Sequence, residues 1–237
     1  MKNRLGPAIY GVLLALHLAA LITRNDWLAY ATKALLMPAL VFWLLQSTSQ
    51  ITNPIKIIAL SALLFSWAGD LLLLFVVPLG DSLGANFFLA GLGAFLIAHL
   101  FYIYCLFQLR KKLRLALRPA LLVPVLLYGA IVFYLLTPHL GSYRIPVLLY
   151  GIIISIMLFN ALQFGLNPKP NRLIAAGAIL FVLSDTFLAW NKFRTPFSGA
   201  GILIMFSYGV AQYFLCEGII NLMQEEESRK PSTRETA

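Results

Sequence analysis

The chain has 237 residues, of which 60% are hydrophobic and 11% charged. Soluble domains carry roughly 25% charged residues, so this composition excludes a water-covered globule and reads as an integral membrane protein with length for about eight spans and no separate soluble domain. The net charge of +9 does not read as nucleic-acid binding, because the basic residues lie in short segments between apolar runs, where they signal topology and attract anionic lipid.

In chain order the apolar runs cover 5–23, 28–46, 55–77, 87–109, 119–137, 145–165, 172–190 and 199–223. Each is close to the ~17–25 residues that a bilayer requires of a helix. The first follows a basic start but is too long for a signal-peptide core and lacks a small-residue cleavage pattern. The runs are continuously apolar rather than alternating, which predicts helices and not a barrel. Turn chemistry separates them: "NP" at 53–54, "PLGD" at 78–81, "TPHLGS" at 137–142, "NPKPN" at 167–171 and "RTPFSG" at 194–199. Most of the 18 Lys and Arg, including the cluster "RKKLRLALR" at 110–118, fall on the side of the two termini. The positive-inside rule then places both termini in the cytoplasm. The expected fold is all-α: one eight-helix transmembrane domain over 1–223, followed at 224–237 by a polar cytoplasmic tail expected to be disordered. A bacterial source would put the chain in the inner membrane. Cys105 and Cys216 both fall inside apolar runs and suggest no disulfide framework.

Few polar residues lie deep in these runs. Asp70 in the third and Asp185 in the seventh each sit about four residues past the midpoint, roughly 6 Å above the midplane at 1.5 Å per residue. The two helices run the same way, so both carboxylates could meet in one cavity. A carboxylate in a span is expensive to insert and is functional by default. His99 lies near the midplane of the fourth span, with Tyr102 on the same face. Tyr208 and Gln212 stand one turn apart in the eighth. Lys192, beside Asn191, is seven residues past Asp185 on nearly the same face, at head-group level. The strings "GDLLL" (69–73) and "SDTFL" (184–188) echo each other, as do "FLIAH" (95–99) and "YGVAQ" (208–212). The echo suggests a parallel four-plus-four repeat. His17 has no polar company nearby in its span, His139 is in a loop beside Pro138, and Glu217 is near a span end; these read as structural or solvent-facing.

Several chemistries find no support. There is no G-x-S-x-G elbow, no Cys or His cluster with zinc spacing and no glycine-rich phosphate loop. Asp70, Asp185 and His99 would be an imaginable ligand set, but nothing fixes their geometry, and no metal is expected. What remains is a carboxylate pair in an apolar pocket. Two carboxylates in unequal environments can divide the work, one as acid and the other as water-activating base. That equipment suits hydrolysis of an acid-labile ether or acetal-like bond. A proton-coupled transporter of a small or lipid-like solute would also use deep carboxylates and a repeat, and a non-catalytic lipid-binding protein is a third reading.

The segments "SWAGDLLLLF", "FFLAGLGAFLIAHLFYIYCL", "ILFVLSDTFLAWNKF" and "YGVAQYFL", taken in that order, resemble the signature segments of the YhhN family of membrane proteins, which includes lysoplasmalogenases. The resemblance runs from the third span to the eighth. It implies an eight-helix enzyme that cleaves the vinyl ether of a lysoplasmalogen to a fatty aldehyde and glycerophospho-ethanolamine or -choline. Another lysolipid is the alternative substrate. The family's polar intramembrane positions match Asp70, His99 and Asp185. On this reading one aspartate protonates the vinyl ether, and the other stabilises the cation and takes a proton from water. His99, Tyr102, Asn191, Tyr208 and Gln212 orient substrate or water, and Lys192 attracts the phosphate. The partners are a lysophospholipid substrate and membrane lipids; no cofactor is required.

Overall fold

The structure is a computed structural model that describes residues 5–76, 80–166 and 171–229. Eight α-helices follow one another: α1 (Leu5–Thr23), α2 (Asp26–Ser47), α3 (Pro54–Leu74), α4 (Gly80–Lys112), α5 (Leu122–Leu136), α6 (Arg144–Gly165), α7 (Arg172–Ala189) and α8 (Ala200–Ser228). Among the described residues there is no strand. All eight, α5 together with its flanking turns as Pro119–His139, are long and apolar enough to cross a membrane, and the chain is a multi-pass membrane protein. Large apolar side chains cover the outside of the bundle, as lipid-facing helices require. Trp27, 87% exposed in the first turn of α2, and Tyr134, 77% exposed in the last turn of α5, lie at the same end of the bundle, where amphipathic rings mark a membrane interface.

Local chemistry sets the helix ends. Asn25 caps α2 by accepting the Leu28 N–H at 3.1 Å. Asn53 caps α3 through the Ile55 N–H at 3.1 Å, with Pro54 pre-set at the first helical position. Gly199, with φ +77°, is the non-helical residue that starts α8. Arg110, Lys111 and Lys112 close α4, where cations suit the negative end of the helix dipole.

Three of the boundaries that differ from the sequence reading bear on the packing. Helix α4 begins at Gly80, ahead of the apolar run expected from 87, because hydropathy marks the lipid-immersed part of a helix and not its extension into the interface. After Ala189 the chain makes a π-helical turn, Trp190–Arg194, closed by the Thr195 N–H on the Trp190 carbonyl at 3.0 Å. Helix α8 runs on through Gln224–Ser228, the start of the expected disordered tail. These polar residues find partners. Gln224 Nε2 donates to the Ser47 carbonyl at 3.0 Å. Glu226 accepts from Lys112 Nζ at 2.8 Å and from Asn53 Nδ2 at 2.9 Å. A carboxylate thus ties the last turns of α4 and α8 to the cap of α3. Residues 230–237 of that tail lie outside the described residues.

The most extensive helix contacts are α3 with α4 and α7 with α8. These pairs correspond under the four-plus-four repeat, which stays a proposal that they support. Small residues permit the close approaches. A Cβ at Gly69 would lie 2.6 Å from the Phe95 ring, and one at Gly84 would lie 2.2 Å from the Val76 carbonyl oxygen. The residue before Asp70 is therefore glycine because α4 packs its aromatic side chain directly on it. Gly69→Ala should force Phe95 off its rotamer and cost about 1–3 kcal/mol, measured as a lowered thermal midpoint in detergent. A midpoint equal to that of the parent chain would contradict this packing.

Candidate active site

A cavity of about 390 Å³ opens among α4, α5, α6 and α7, within the size range of small-molecule sites. Its walls are aliphatic and aromatic side chains with few polar exceptions: Tyr128 of α5, Tyr150 and Ser155 of α6, and Asp185 and Thr186 of α7. The Tyr150 hydroxyl donates to Asp185 Oδ2 at 2.6 Å. Thr186 Oγ1 donates to the Val182 carbonyl at 2.8 Å, which leaves it to accept from the Tyr128 hydroxyl, also at 2.8 Å. Ser184, next to the aspartate, donates to the Ile204 carbonyl at 3.0 Å and fastens α7 to α8. Asp185 is therefore held by its neighbours on both sides in the chain and by a tyrosine from another helix.

Asp70 has a different environment. It is 2% exposed and is not among the residues that border the cavity. Its Oδ2 accepts from the Tyr208 hydroxyl at 2.7 Å, and Lys33 Nζ lies 3.9 Å from its Oδ1. The chain of hydrogen bonds continues inward. Gln212 Nε2 donates to the Tyr208 oxygen at 3.3 Å, and the Tyr102 hydroxyl donates to Gln212 Oε1 at 2.5 Å. Side chains from α2, α3, α4 and α8 thus form one buried network.

The expectation of one shared pocket for the two carboxylates is corrected accordingly: only Asp185 borders the cavity. Contacts that lead from one to the other run through aromatic rings. Tyr208 stands edge-on to Phe181 (centroids 5.4 Å apart) and to Phe95 (5.8 Å). Phe181 meets His99 at 4.7 Å, and His99 meets Tyr150 at 5.4 Å. Among the described residues no three His, Cys, Asp or Glu side chains cluster as a metal site would require, so Asp70, Asp185 and His99 do not form that ligand set.

The other expected residues divide. Tyr102, Tyr208 and Gln212 belong to the Asp70 network. His99 is fully buried; its Nδ1 lies 2.6 Å from the Phe95 carbonyl of its own helix, and its ring supports Tyr150. Asn191 accepts the Phe197 N–H at 3.2 Å and so shapes the turn after α7. Lys192 is exposed, with Nζ 5.3 Å from the centre of the Phe88 ring. His17 is not alone: its Nδ1 is 2.9 Å from Thr32 Oγ1.

Sequence reasoning missed Lys33, Tyr128, Tyr150 and Thr186. Lys33 carried a usable signal, since it lies inside the apolar run 28–46. The tyrosines carried none, because each meets its partner across helices at no fixed spacing. Replacing Asp70 by Asn should leave the Lys33 ammonium without its carboxylate and cost about 1–3 kcal/mol. The double variant Asp70→Asn/Lys33→Met should recover part of that loss in a thermal-unfolding cycle. Strictly additive losses would show that the two side chains do not interact.

Comparison with known proteins adds an independent line. The model of the YhhN family matches residues 28–219. A pig protein named lysoplasmalogenase TMEM86B is 34% identical over 129 residues, 54% of this chain and 52% of that one. Its human counterpart is 31% identical over the same length. A Mycobacterium bovis protein named lysoplasmalogenase is 31% identical over 160 residues, 66% of this chain and 58% of that one. The matched region thus spans about half the length of these curated relatives. No solved structure matches the chain.

Proposed function

Because this chain belongs to the YhhN family, we propose that it is a membrane hydrolase that cleaves the vinyl ether bond of lysoplasmalogens, releasing a fatty aldehyde and glycerophospho-ethanolamine or -choline. The observation that carries the reading is Asp185, a carboxyl group on the wall of an apolar cavity of about 390 Å³. Tyr150 occupies its Oδ2. Among the described residues no protein donor meets Oδ1, which leaves that oxygen for a reacting group. The relatives that carry the name lysoplasmalogenase support the substrate class.

The chemistry follows from the bond. A vinyl ether is protonated at the carbon β to oxygen, and the positive charge is then shared between the neighbouring carbon and the ether oxygen. Asp185 in its acid form delivers that proton. The carboxylate left behind faces the cation, stabilises it, and takes a proton from the water that adds to the cationic carbon. The resulting hemiacetal loses its alcohol to give the aldehyde, and Asp185 is again in its acid form. Tyr150 holds the carboxyl group in register throughout, and His99 backs Tyr150. The Tyr128–Thr186 pair lies beside the reacting end and can hold the water or the free glycerol hydroxyl.

Asp70 acts at one remove in this reading. It fixes Tyr208, which packs edge-on to Phe95, and Phe95 forms part of the cavity wall. We also place both termini in the cytoplasm, from the distribution of Lys and Arg. The Asp185 end of the cavity then faces the opposite leaflet.

Aldehyde release from a lysoplasmalogen, assayed on the purified chain in detergent, tests the proposal. Asp185→Asn should lose at least about 100-fold in kcat, the lower range for an acid–base group. Tyr150→Phe should lose roughly tenfold, the equivalent of one hydrogen bond to a charged group. Full activity in a folded Asp185→Asn variant would remove the proposed acid. Release of fatty acid from an acyl lysophospholipid, with no aldehyde from the vinyl ether, would reassign the substrate.

A further inference from the structure

A second cavity, of about 410 Å³, lies at the end of the bundle opposite the termini. We propose that it is the subsite for the phosphate of the substrate's head group, reached past Phe193. The inference rests on the reading that the apolar cavity holds the alkenyl chain with the vinyl ether at Asp185.

The two cavities differ in chemistry and share a wall. The second is bordered by His139, Ser142, Tyr143 and Lys192, and Phe193 borders both. Phe88, on the wall of the apolar cavity, meets Phe193 at 5.8 Å and Tyr143 at 5.9 Å, ring centre to ring centre. Two phenylalanines therefore form the partition, with Asp185 on the apolar side and Lys192 on the polar side. Lys192 follows Asp185 by seven residues, roughly 10 Å along a helix. The π-helical turn, a feature common where helices serve a site, widens the chain there and sends Lys192 and Phe193 to the partition.

The donor set suits a phosphate diester. Lys192 offers a compact ammonium charge, and among the described residues no carboxylate pairs with it. Tyr143 and Ser142 add hydroxyls, and His139 adds a ring N–H. Gly141, with φ +48°, turns the chain so that Ser142 and Tyr143 reach the rim. A lysophospholipid carries its ether and its phosphate on the two ends of one glycerol unit. With the ether at Asp185, the phosphate falls on the Lys192 side.

The test measures binding, so that it does not depend on hydrolysis. A saturated alkyl-ether lysophospholipid, which this chemistry cannot cleave, is compared with the corresponding alkylglycerol without phosphate on the full chain in detergent. The parent chain should prefer the phosphate-bearing lipid by about tenfold or more, as expected for hydrogen bonds to a charged group. Lys192→Gln should remove most of that preference and His139→Gln part of it. Lys111→Gln, at the far end of α4, should keep it. An undiminished preference in Lys192→Gln, or equal loss of both lipids, overturns the subsite. Inorganic phosphate is the third arm. If it binds in a Lys192-dependent way and the two lipids bind equally, the cavity takes a free anion and the head-group assignment fails. A parent chain that shows the preference but cleaves no vinyl ether would overturn the hydrolase reading and uphold the subsite.

Discussion

A carboxylate inside hydrocarbon must find a donor from the protein, and Asp70 and Asp185 each find a tyrosine hydroxyl on another helix. Tyr208 of α8 meets Asp70 of α3, and Tyr150 of α6 meets Asp185 of α7. This matters more here than it would in water. Lipid tails are as apolar as leucine, so burying apolar side chains barely distinguishes one helix neighbour from another or from lipid. The unpaired polar group is what discriminates, because leaving it without a partner costs several kcal/mol. Asp70 alone draws α2, α3, α4 and α8 into one network. Asp185 joins α6 to α7, and the adjacent Ser184 joins α7 to α8. The arrangement of the bundle and the placement of its carboxyl groups are therefore the same problem.

From this constraint follows the unequal character of the two aspartates. Asp70 has a cation at 3.9 Å, a tyrosine at 2.7 Å and no cavity. Those partners suit a group that holds helices together. Asp185 has a tyrosine, a wide apolar cavity and, among the described residues, no cation in ion-pair contact. That environment suits a group that must gain and lose a proton beside a substrate. The two aspartates therefore do not share a pocket as a carboxylate pair; one borders a cavity, the other sits in a polar network, and aromatic rings lie between them. The rings make the separation mechanically meaningful, since Tyr208 bears on Phe95 and His99 bears on Tyr150.

Much of this was legible in the sequence. Eight apolar runs set the number of helices, and scarcity of polar residues singled out Asp70, Asp185, His99, Tyr208 and Gln212. Even the shared pattern of a small residue before each aspartate has a packing reason, since Gly69 admits Phe95 and Ser184 binds the α8 backbone. What the sequence hid were relations between helices. Equal depth for Asp70 and Asp185 allows them to meet but does not bring them together, because depth says nothing about position around the bundle. Tyr150 and Tyr128 look like ordinary aromatic residues until α6 and α5 are packed against α7. His139 lay in a loop, where no periodicity applies, and only the fold brings it to the rim that Lys192 shares.

Helix α5 shows how a loosely packed helix can still be positioned. Among its residues only Val125 and Leu136 are buried, so most of its surface faces lipid or cavity. Its packing is mainly against α6, and apolar contact with α6 alone would leave its position weakly determined. The hydroxyl pair Tyr128–Thr186 supplies the missing specificity and does so beside Asp185. The wall next to the proposed acid is therefore positioned by a hydrogen bond, while the rest of that wall is held only by dispersion contacts. The proposed substrate, with an apolar chain at one end and a charged head group at the other, would match such a wall. On the proposed reading its chain would part a weakly packed apolar helix from its neighbours, while its polar end would meet groups that are held in place.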